Sequence, residues 1–244
     1  MLKTTISNHR VTQANHLVEA NYSITLNEKR LIIIAISKIN SKEKMIDRTF
    51  TVTAKEFADF YSMDLKNAYV ELYEAVDKLW KREAVITDNE NELDTIRWIE
   101  RRKVKKNNRN DGAVTIIFTQ SIEPYLSALN RAFTSYEIKN IANLSTPYSI
   151  RLYEIGKRYE GLGQYYYELD DFKDLLGLSN NYNRFANLKA RVLEPAIKEI
   201  KKETDIKMGY KVKRKNKSVI GIRFFVAKTD ADLRQMMDDN LSLF

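Results

Sequence analysis

Two almost identical basic segments, KVKKNN at 103–108 and KVKRKN at 211–216, lie in the two halves of the 244-residue chain. The pattern around them also repeats. Each half is predicted to run helix, strand, short helix, long helix and two strands, with the basic segment near the turn between the strands. The corresponding apolar residues are Phe57 with Phe172, Phe60 with Leu175, Met63 with Leu178, Val76 with Ile197, Leu79 with Ile200 and Val85 with Ile206. The last three pairs lie six residues further apart than the first three, which indicates an inserted SNNYNR in the second copy.

This repetition predicts an α+β fold of two winged-helix domains related by internal duplication, because that order of helices followed by a hairpin is typical of a winged helix. The period is too long for a solenoid repeat. We predict an N-terminal arm and first domain at 1–128, a second domain at 129–228 and a flexible acidic tail at 229–244. Each basic segment then forms the tip of a wing, where its cations reach DNA phosphates.

Composition restricts the partners and the location. The chain has no cysteine, which excludes disulfides and thiolate metal sites and fits a reducing cytosol. The apolar run at 31–36 is too short to cross a bilayer, and the first residues contain no apolar signal segment, so we expect a soluble cytoplasmic protein without a membrane partner. A net charge of +8 points to an anionic partner.

The long helix of the second copy is predicted to have one apolar and one basic face. At 100° per residue, its apolar stripe consists of Phe185, Leu188, Val192, Ala196 and Ile200. Arginine and asparagine, which pair bidentately with guanine and adenine edges, collect on the opposite face. We therefore predict a base-contacting set of Asn183, Arg184, Asn187 and Arg191.

Pro195 interrupts this helix, since it lacks an N–H, and is expected to bend it near residue 191. The N-terminal half should therefore contact bases, and the lysines beyond it should contact phosphates. These predicted backbone contacts are Lys198, Lys201 and Lys202, joined in the second hairpin by Lys211, Lys213, Arg214, Lys215 and Lys217.

The long helix of the first copy is different. Its outward face carries Glu74 and Asp77, which DNA phosphates would repel. We predict that the first domain contacts the DNA backbone with its hairpin or uses its surface to dimerise. The hairpin residues are Arg101, Arg102, Lys103, Lys105, Lys106 and Arg109. The alternative, that these residues only keep a hairpin soluble, stays open.

No catalytic constellation is found. A DNA-nicking tyrosine needs a metal held by a His-hydrophobe-His pair, but His9 and His16 form no such pair. The tyrosines in YYYEL fit a strand instead, and no GxxxxGK[ST] motif is present for a nucleotide-driven motor. We therefore predict a binding protein with no catalytic residues, no metal and no cofactor.

Three long segments resemble the Rep_3 family of plasmid replication initiators: NHLVEANYSITLNEKRLI, STPYSIRLYEIGKRY and FANLKARVLEPAIKEIKKETDIKMGYKVKRKNKSVIGIRFFV. The resemblance covers about residues 11–228. It implies a bacterial protein whose second domain binds double-stranded origin repeats, called iterons, through residues 183–203, and whose wings contact the backbone. It also implies that monomers initiate replication with host proteins such as helicase and the host initiator, while dimers formed through the first domain repress the protein's own gene.

The last residues, NLSLF, are similar to the short peptide by which bacterial replication proteins bind the sliding clamp, with Asn240 in place of glutamine. Leu241, Leu243 and Phe244 would be its apolar anchors.

The sequence leaves two functions open: an initiator that binds several direct repeats, and a dedicated dimeric repressor that binds an inverted repeat. A structural protein–protein module is disfavoured by the Arg/Asn face of the second long helix.

Overall fold

The structure, a computed structural model, describes residues 9–105, 112–179 and 181–239. The chain divides into two compact units, Met1–Asn143 and Leu144–Phe244. This division lies beyond the expected boundary at 128/129. The cause is a strand pair that local sequence patterns do not show: Arg10–Ala14 (β1) pairs antiparallel with Phe133–Glu137, which ties residues 129–143 to the first unit.

Over its described residues, 9–105 and 112–143, the first unit contains four α-helices, one three-stranded sheet and two two-stranded sheets. After β1 come the helices and strands α1 (Asn15–Glu19), α2 (Leu26–Ile36), β2 (Thr49–Thr53), α3 (Ala54–Tyr61), α4 (Leu65–Leu79), β3 (Glu83–Asp88), β4 (Leu93–Arg97), β5 (Ile99–Lys105), β6 (Ala113–Phe118) and β7 (Phe133–Glu137). The sheet order is β2-β6-β5, and β3 and β4 form a separate hairpin. The β5–β6 hairpin is the first wing.

Local sequence explains the helix starts of this unit. Thr25 and Glu28 form a capping box that begins α2, and the Asp64 side chain accepts hydrogen bonds from the first-turn N–H groups of α4. The first of the two strands predicted after the long helix is interrupted in the structure. It breaks at the fully buried Trp98, so that β4 pairs with β3 and β5 pairs with β6.

The second unit repeats the same order. Its elements are α5 (Pro147–Tyr159), β8 (Gln164–Glu168), α6 (Leu169–Leu175), α7 (Phe185–Leu188), α8 (Glu194–Glu203), β9 (Lys207–Lys215), β10 (Ser218–Ala227) and α9 (Asp230–Asp239). The sheet order is β8-β10-β9, in which β8, β9 and β10 take the places of β2, β5 and β6. The β9–β10 hairpin is the second wing. The prediction of two α+β winged-helix domains is confirmed.

The matched apolar residues lie in the core of each unit, except Met63 and Val85, which are half-buried. Phe57 and Phe172 are both fully buried, as are Leu79 and Ile200. In the second unit, the buried Arg151 of α5 donates a hydrogen bond to the Leu175 carbonyl at 3.1 Å, which fixes the end of α6 against α5. The insertion inferred from the spacing lies between α6 and α7.

The expected flexible tail is instead helical over Asp230–Asp239. Leu233 is buried against Phe225 and Ala227 of β10, and Met236 and Met237 pack beside it. A Cβ on Gly209 would lie only 2.5 Å from the Met237 sulfur, so the glycine leaves room for α9 to pack on the sheet. The helix was missed because its sequence is acidic and its few apolar residues are stabilised by these distant contacts.

Candidate nucleic-acid interface

A continuous helical segment runs from α7 to α8, with a π-helical segment, Lys189–Leu193, between them. Pro195 lies just beyond this segment and cannot donate the hydrogen bond that a regular helix would direct to the Arg191 carbonyl. The regular i to i−4 hydrogen-bond pattern is therefore interrupted around residue 191, the position at which the sequence predicts a bend. Leu188, Val192 and Ile200 are buried, which confirms the predicted apolar stripe, although Phe185 is only half-buried.

The predicted base-contacting side chains lie together and are exposed. Arg184 precedes the helix as its N-cap with extended backbone angles, φ −102° and ψ 124°, so the helix begins two residues later than its sequence pattern indicates. A depression of about 660 Å³ is nevertheless lined by all four residues of the set, together with Tyr148, Leu178, Asn181 and Tyr182. Tyr148, Asn181 and Tyr182 are lining residues that the helical pattern did not indicate, although Asn181 and Tyr182 belong to the predicted insertion.

The three lysines at the end of α8 are not equivalent. Lys198 is exposed. The exposed Lys202 forms an ion pair with Glu203 at 2.7 Å, and Lys201 is half-buried. Exposed ion pairs of this kind contribute little to stability, so Lys202 remains available to an anionic partner.

The second wing places most of its predicted cations at the tip. Asn216 adopts a left-handed conformation, φ 57°, in the turn, and Lys213, Arg214, Lys215 and Lys217 around it are exposed. A second depression, of about 1000 Å³, separates this wing from the start of the helix. It is lined by Arg184, Lys189, Glu194, Tyr210, Arg214 and Lys217, among others.

Lys211 departs from the expected role. Its ammonium group donates to the Met237 carbonyl near the end of α9 and lies 5.9 Å from the Phe225 ring centre. The side chain is half-buried and belongs to the contact between the sheet and α9. We therefore leave Lys211 out of the phosphate-contacting set.

Glu194, the acid on the outward face of the helix, has two partners. The Tyr210 hydroxyl of β9 donates to Glu194 Oε1 at 2.6 Å, and Lys189 lies 3.7 Å from the same oxygen. Burial and this hydrogen bond raise the pKa of Tyr210, so the phenol stays protonated at neutral pH and continues to donate. The hydrogen bond between Tyr210 and Glu194 joins the second wing to the helix. Lys189 offsets part of the negative charge of Glu194.

The first wing is attached to α4 differently. Arg102 of β5 forms an ion pair with Asp77 of α4, and the Tyr73 hydroxyl donates to the Lys105 carbonyl. Tyr73 stacks on Tyr69 at 4.3 Å between ring centres, and burial, followed by the hydrogen bond with Tyr69, raises the pKa of Tyr73 to about 12. Arg101, Lys103 and Lys105 are exposed, whereas Arg102 is partly covered. The predicted contacts Lys106 and Arg109 lie outside the described residues, as do Asn240, Leu241, Leu243 and Phe244.

Within residues 9–105, 112–179 and 181–239, no group of three or more His, Asp or Glu side chains could hold a metal ion. The helices of the same residues include none that is long and apolar enough to cross a membrane.

Comparison with known proteins identifies the family. Residues 10–157 match the model of "Initiator Replication protein, WH1", and residues 168–226 match "Initiator Rep protein, WH2". The chain belongs to the Rep_3 family of replication initiators. The two matched regions correspond to the two winged-helix domains predicted from the repeat.

Relatives of this Rep_3 protein include two from Escherichia coli. One, a "Replication initiation protein", is 26% identical over 81% of this chain. The chain spans only 64% of that relative's length. The other, "PI protein", is 26% identical over 95% of this chain and 87% of its own length. The crystal structure of the Pi initiator protein in complex with iteron DNA superposes with a TM-score of 0.73, at 26% identity, covering 92% of this chain and 99% of that one.

Proposed function

We propose that this Rep_3 protein is a plasmid replication initiator that binds repeated origin sites in a sequence-specific manner. The observation that carries the proposal is the convergence of Asn183, Arg184, Asn187 and Arg191 on one exposed depression beside a basic wing. The likeness to the Pi initiator, whose structure contains iteron DNA, supports it.

In the proposed complex, the start of the α7–α8 segment enters the major groove. Arg184 and Arg191 donate to guanine O6 and N7, and Asn187 pairs with adenine N6 and N7. Lys213, Arg214, Lys215 and Lys217 of the second wing contact phosphates, as does Lys198, and these contacts orient the helix without selecting sequence.

The first unit has a separate role in this proposal. It contacts the DNA backbone through Arg101, Lys103 and Lys105, and it also joins two chains into a dimer that represses the protein's own gene. Its α4 helix presents Glu74 and Asp77 outward, which makes major-groove binding by this helix unfavourable.

Because the sequence contains no nucleotide-driven motor motif, we propose that origin opening draws on binding energy, DNA bending and host proteins in the bacterial cytoplasm.

A DNase footprint on DNA flanking the protein's own gene, at two salt concentrations, tests the proposal. We expect protection of several evenly spaced direct repeats that persists at the higher salt, because specific base contacts depend less on salt than phosphate contacts do. Protection of a single palindrome over the promoter, with nothing else bound, would instead establish the dedicated dimeric repressor.

We also propose that NLSLF binds the sliding clamp, with Leu241, Leu243 and Phe244 entering an apolar cleft and Asn240 in the position usually held by glutamine. A pull-down with purified clamp compares the wild-type chain with a Leu243→Ala, Phe244→Ala double variant. Retention should be lost in the variant while DNA affinity is unchanged. Equal clamp retention by both proteins would remove the clamp from the list of partners.

A further inference from the structure

Tyr148 and Tyr182 lie beside the base-contacting set, Tyr148 in α5 and Tyr182 on the inserted segment that the first unit lacks. The inserted loop is fixed at both ends, by the buried Leu178 before it and by the start of α7 at Phe185 after it. The Asn181 N–H also donates to the Leu178 carbonyl at 2.8 Å. Between these points, Tyr182 adopts a left-handed backbone conformation, φ 59°, which is uncommon for a bulky residue.

The two phenol groups are close to each other. Tyr148 is in the first turn of α5, and both side chains are half-buried and line the 660 Å³ depression. Burial raises the pKa of Tyr148, and the neighbouring Tyr182 raises it further. The Tyr148 phenol is therefore neutral at physiological pH and has a proton to donate.

The lining of this depression is suited to an anion. Its polar side chains are two tyrosines, three asparagines and two arginines, and all of them can donate hydrogen bonds. No carboxylate is among the residues that line it. The second depression differs, because Glu194 lies in its wall.

We propose that Tyr148 and Tyr182 together bind one backbone phosphate of each origin repeat, next to the bases contacted by Arg184 and Asn187, and thereby set the register of the helix in the groove. They are positioning residues, since a phosphate carries no sequence information but fixes where the base-contacting side chains lie. This inference rests on the proposed function, because it requires origin DNA in the major-groove complex.

A variant that removes only the two hydroxyls tests the proposal. Tyr148→Phe, Tyr182→Phe retains both rings and the left-handed loop. We expect its affinity for a duplex containing one repeat to fall about tenfold, since two hydrogen bonds to a charged oxygen are lost. The slope of log affinity against log salt should stay the same, because neutral phenols release no counterions from DNA. Tyr159→Phe, at the other end of α5, is the matched control and should bind as the wild type does.

Duplexes in which single phosphates are replaced by neutral methylphosphonates give a second readout. The wild-type protein should lose affinity when one particular phosphate of the repeat is neutralised, and the double variant should be insensitive to that same replacement. Wild-type binding to repeats combined with unchanged affinity and unchanged phosphate sensitivity in the double variant would overturn the inference and leave the proposed function standing. Failure of the wild-type protein to prefer repeats over random duplex would overturn both.

Discussion

The two winged helices of this chain share one fold but present opposite charges on corresponding helices. The outward face of α4 in the first unit carries Glu74 and Asp77, whereas the corresponding face in the second unit carries Arg184, Asn187 and Arg191. The buried faces are similar, with apolar residues at matching positions. The duplicated core therefore determines only the frame of helix and wing, and under the proposed function a few exposed residues decide which copy suits a DNA groove.

The attachment of the wings shows the same contrast. Each wing is hydrogen-bonded to its helix by a tyrosine hydroxyl: Tyr73 donates to the Lys105 carbonyl in the first unit, and Tyr210 donates to Glu194 in the second. In the first unit, Arg102 also forms an ion pair with Asp77, although it was predicted to contact the DNA backbone. The tip of the second wing keeps its cations exposed.

The largest expected effect separates the two helices. Arg184→Ala or Arg191→Ala should cost about 1 to 3 kcal/mol of binding free energy on an origin repeat and little on random duplex, because a bidentate base contact is lost. Fluorescence anisotropy titrations on both DNAs measure the difference.

Asn67→Ala on the outward face of α4 is the matched control and should leave both affinities unchanged. Equal losses on repeat and random DNA for the arginine variants would contradict their assignment to base contacts. A selective loss for the α4 variant would show that the first helix also enters the groove.

The second effect compares the wings. A Lys213→Ala, Arg214→Ala, Lys215→Ala variant should lower affinity about tenfold on repeat and random DNA alike and reduce the salt slope by about 3, since three phosphate contacts are lost. The matching Arg101→Ala, Lys103→Ala, Lys105→Ala variant should have a smaller effect on one isolated repeat. Salt titrations of both variants provide the measurement, and equal slopes for the two would refute a difference between the wings.

Local periodicity was enough to predict the helix faces, because a helix that buries one face has apolar residues repeating with a period of 3.6. It placed the start of the helix two residues too early, because Arg184 is the last residue of the inserted segment and has extended backbone angles. Pairing of β1 with β7 and docking of α9 on Gly209 depend on residues far apart in the chain. The ion pair of Arg102 with Asp77 could not be predicted from the sequence either, because it depends on how the wing packs on α4.

A smaller effect tests that ion pair. Asp77→Asn should release Arg102 and raise affinity for random duplex about two- to threefold, with an increase in salt slope of up to about 1. Glu74→Gln is the control, because it removes a charge from the same face but frees Lys78, with which Glu74 pairs at 3.0 Å, rather than a wing residue. Equal gains for the two variants, measured by anisotropy, would show that only net charge matters and that Arg102 makes no DNA contact.

The smallest expected effect concerns the two tyrosine attachments. Tyr210→Phe removes the hydrogen-bond donor to Glu194 and leaves that carboxylate paired with Lys189. The less compensated negative charge would repel DNA, so affinity should fall about twofold on repeat and random duplex. Tyr73→Phe removes the equivalent attachment in the first unit, where no carboxylate is uncovered, and should leave binding unchanged. Hydrogen exchange of β5 and β9 should show faster opening of the corresponding wing in both variants, because each loses a hydrogen bond that holds its wing on the helix. If Tyr73→Phe weakened binding as much as Tyr210→Phe, loosening of a wing rather than exposure of Glu194 would explain the loss, and the first wing would have to contact DNA as closely as the second.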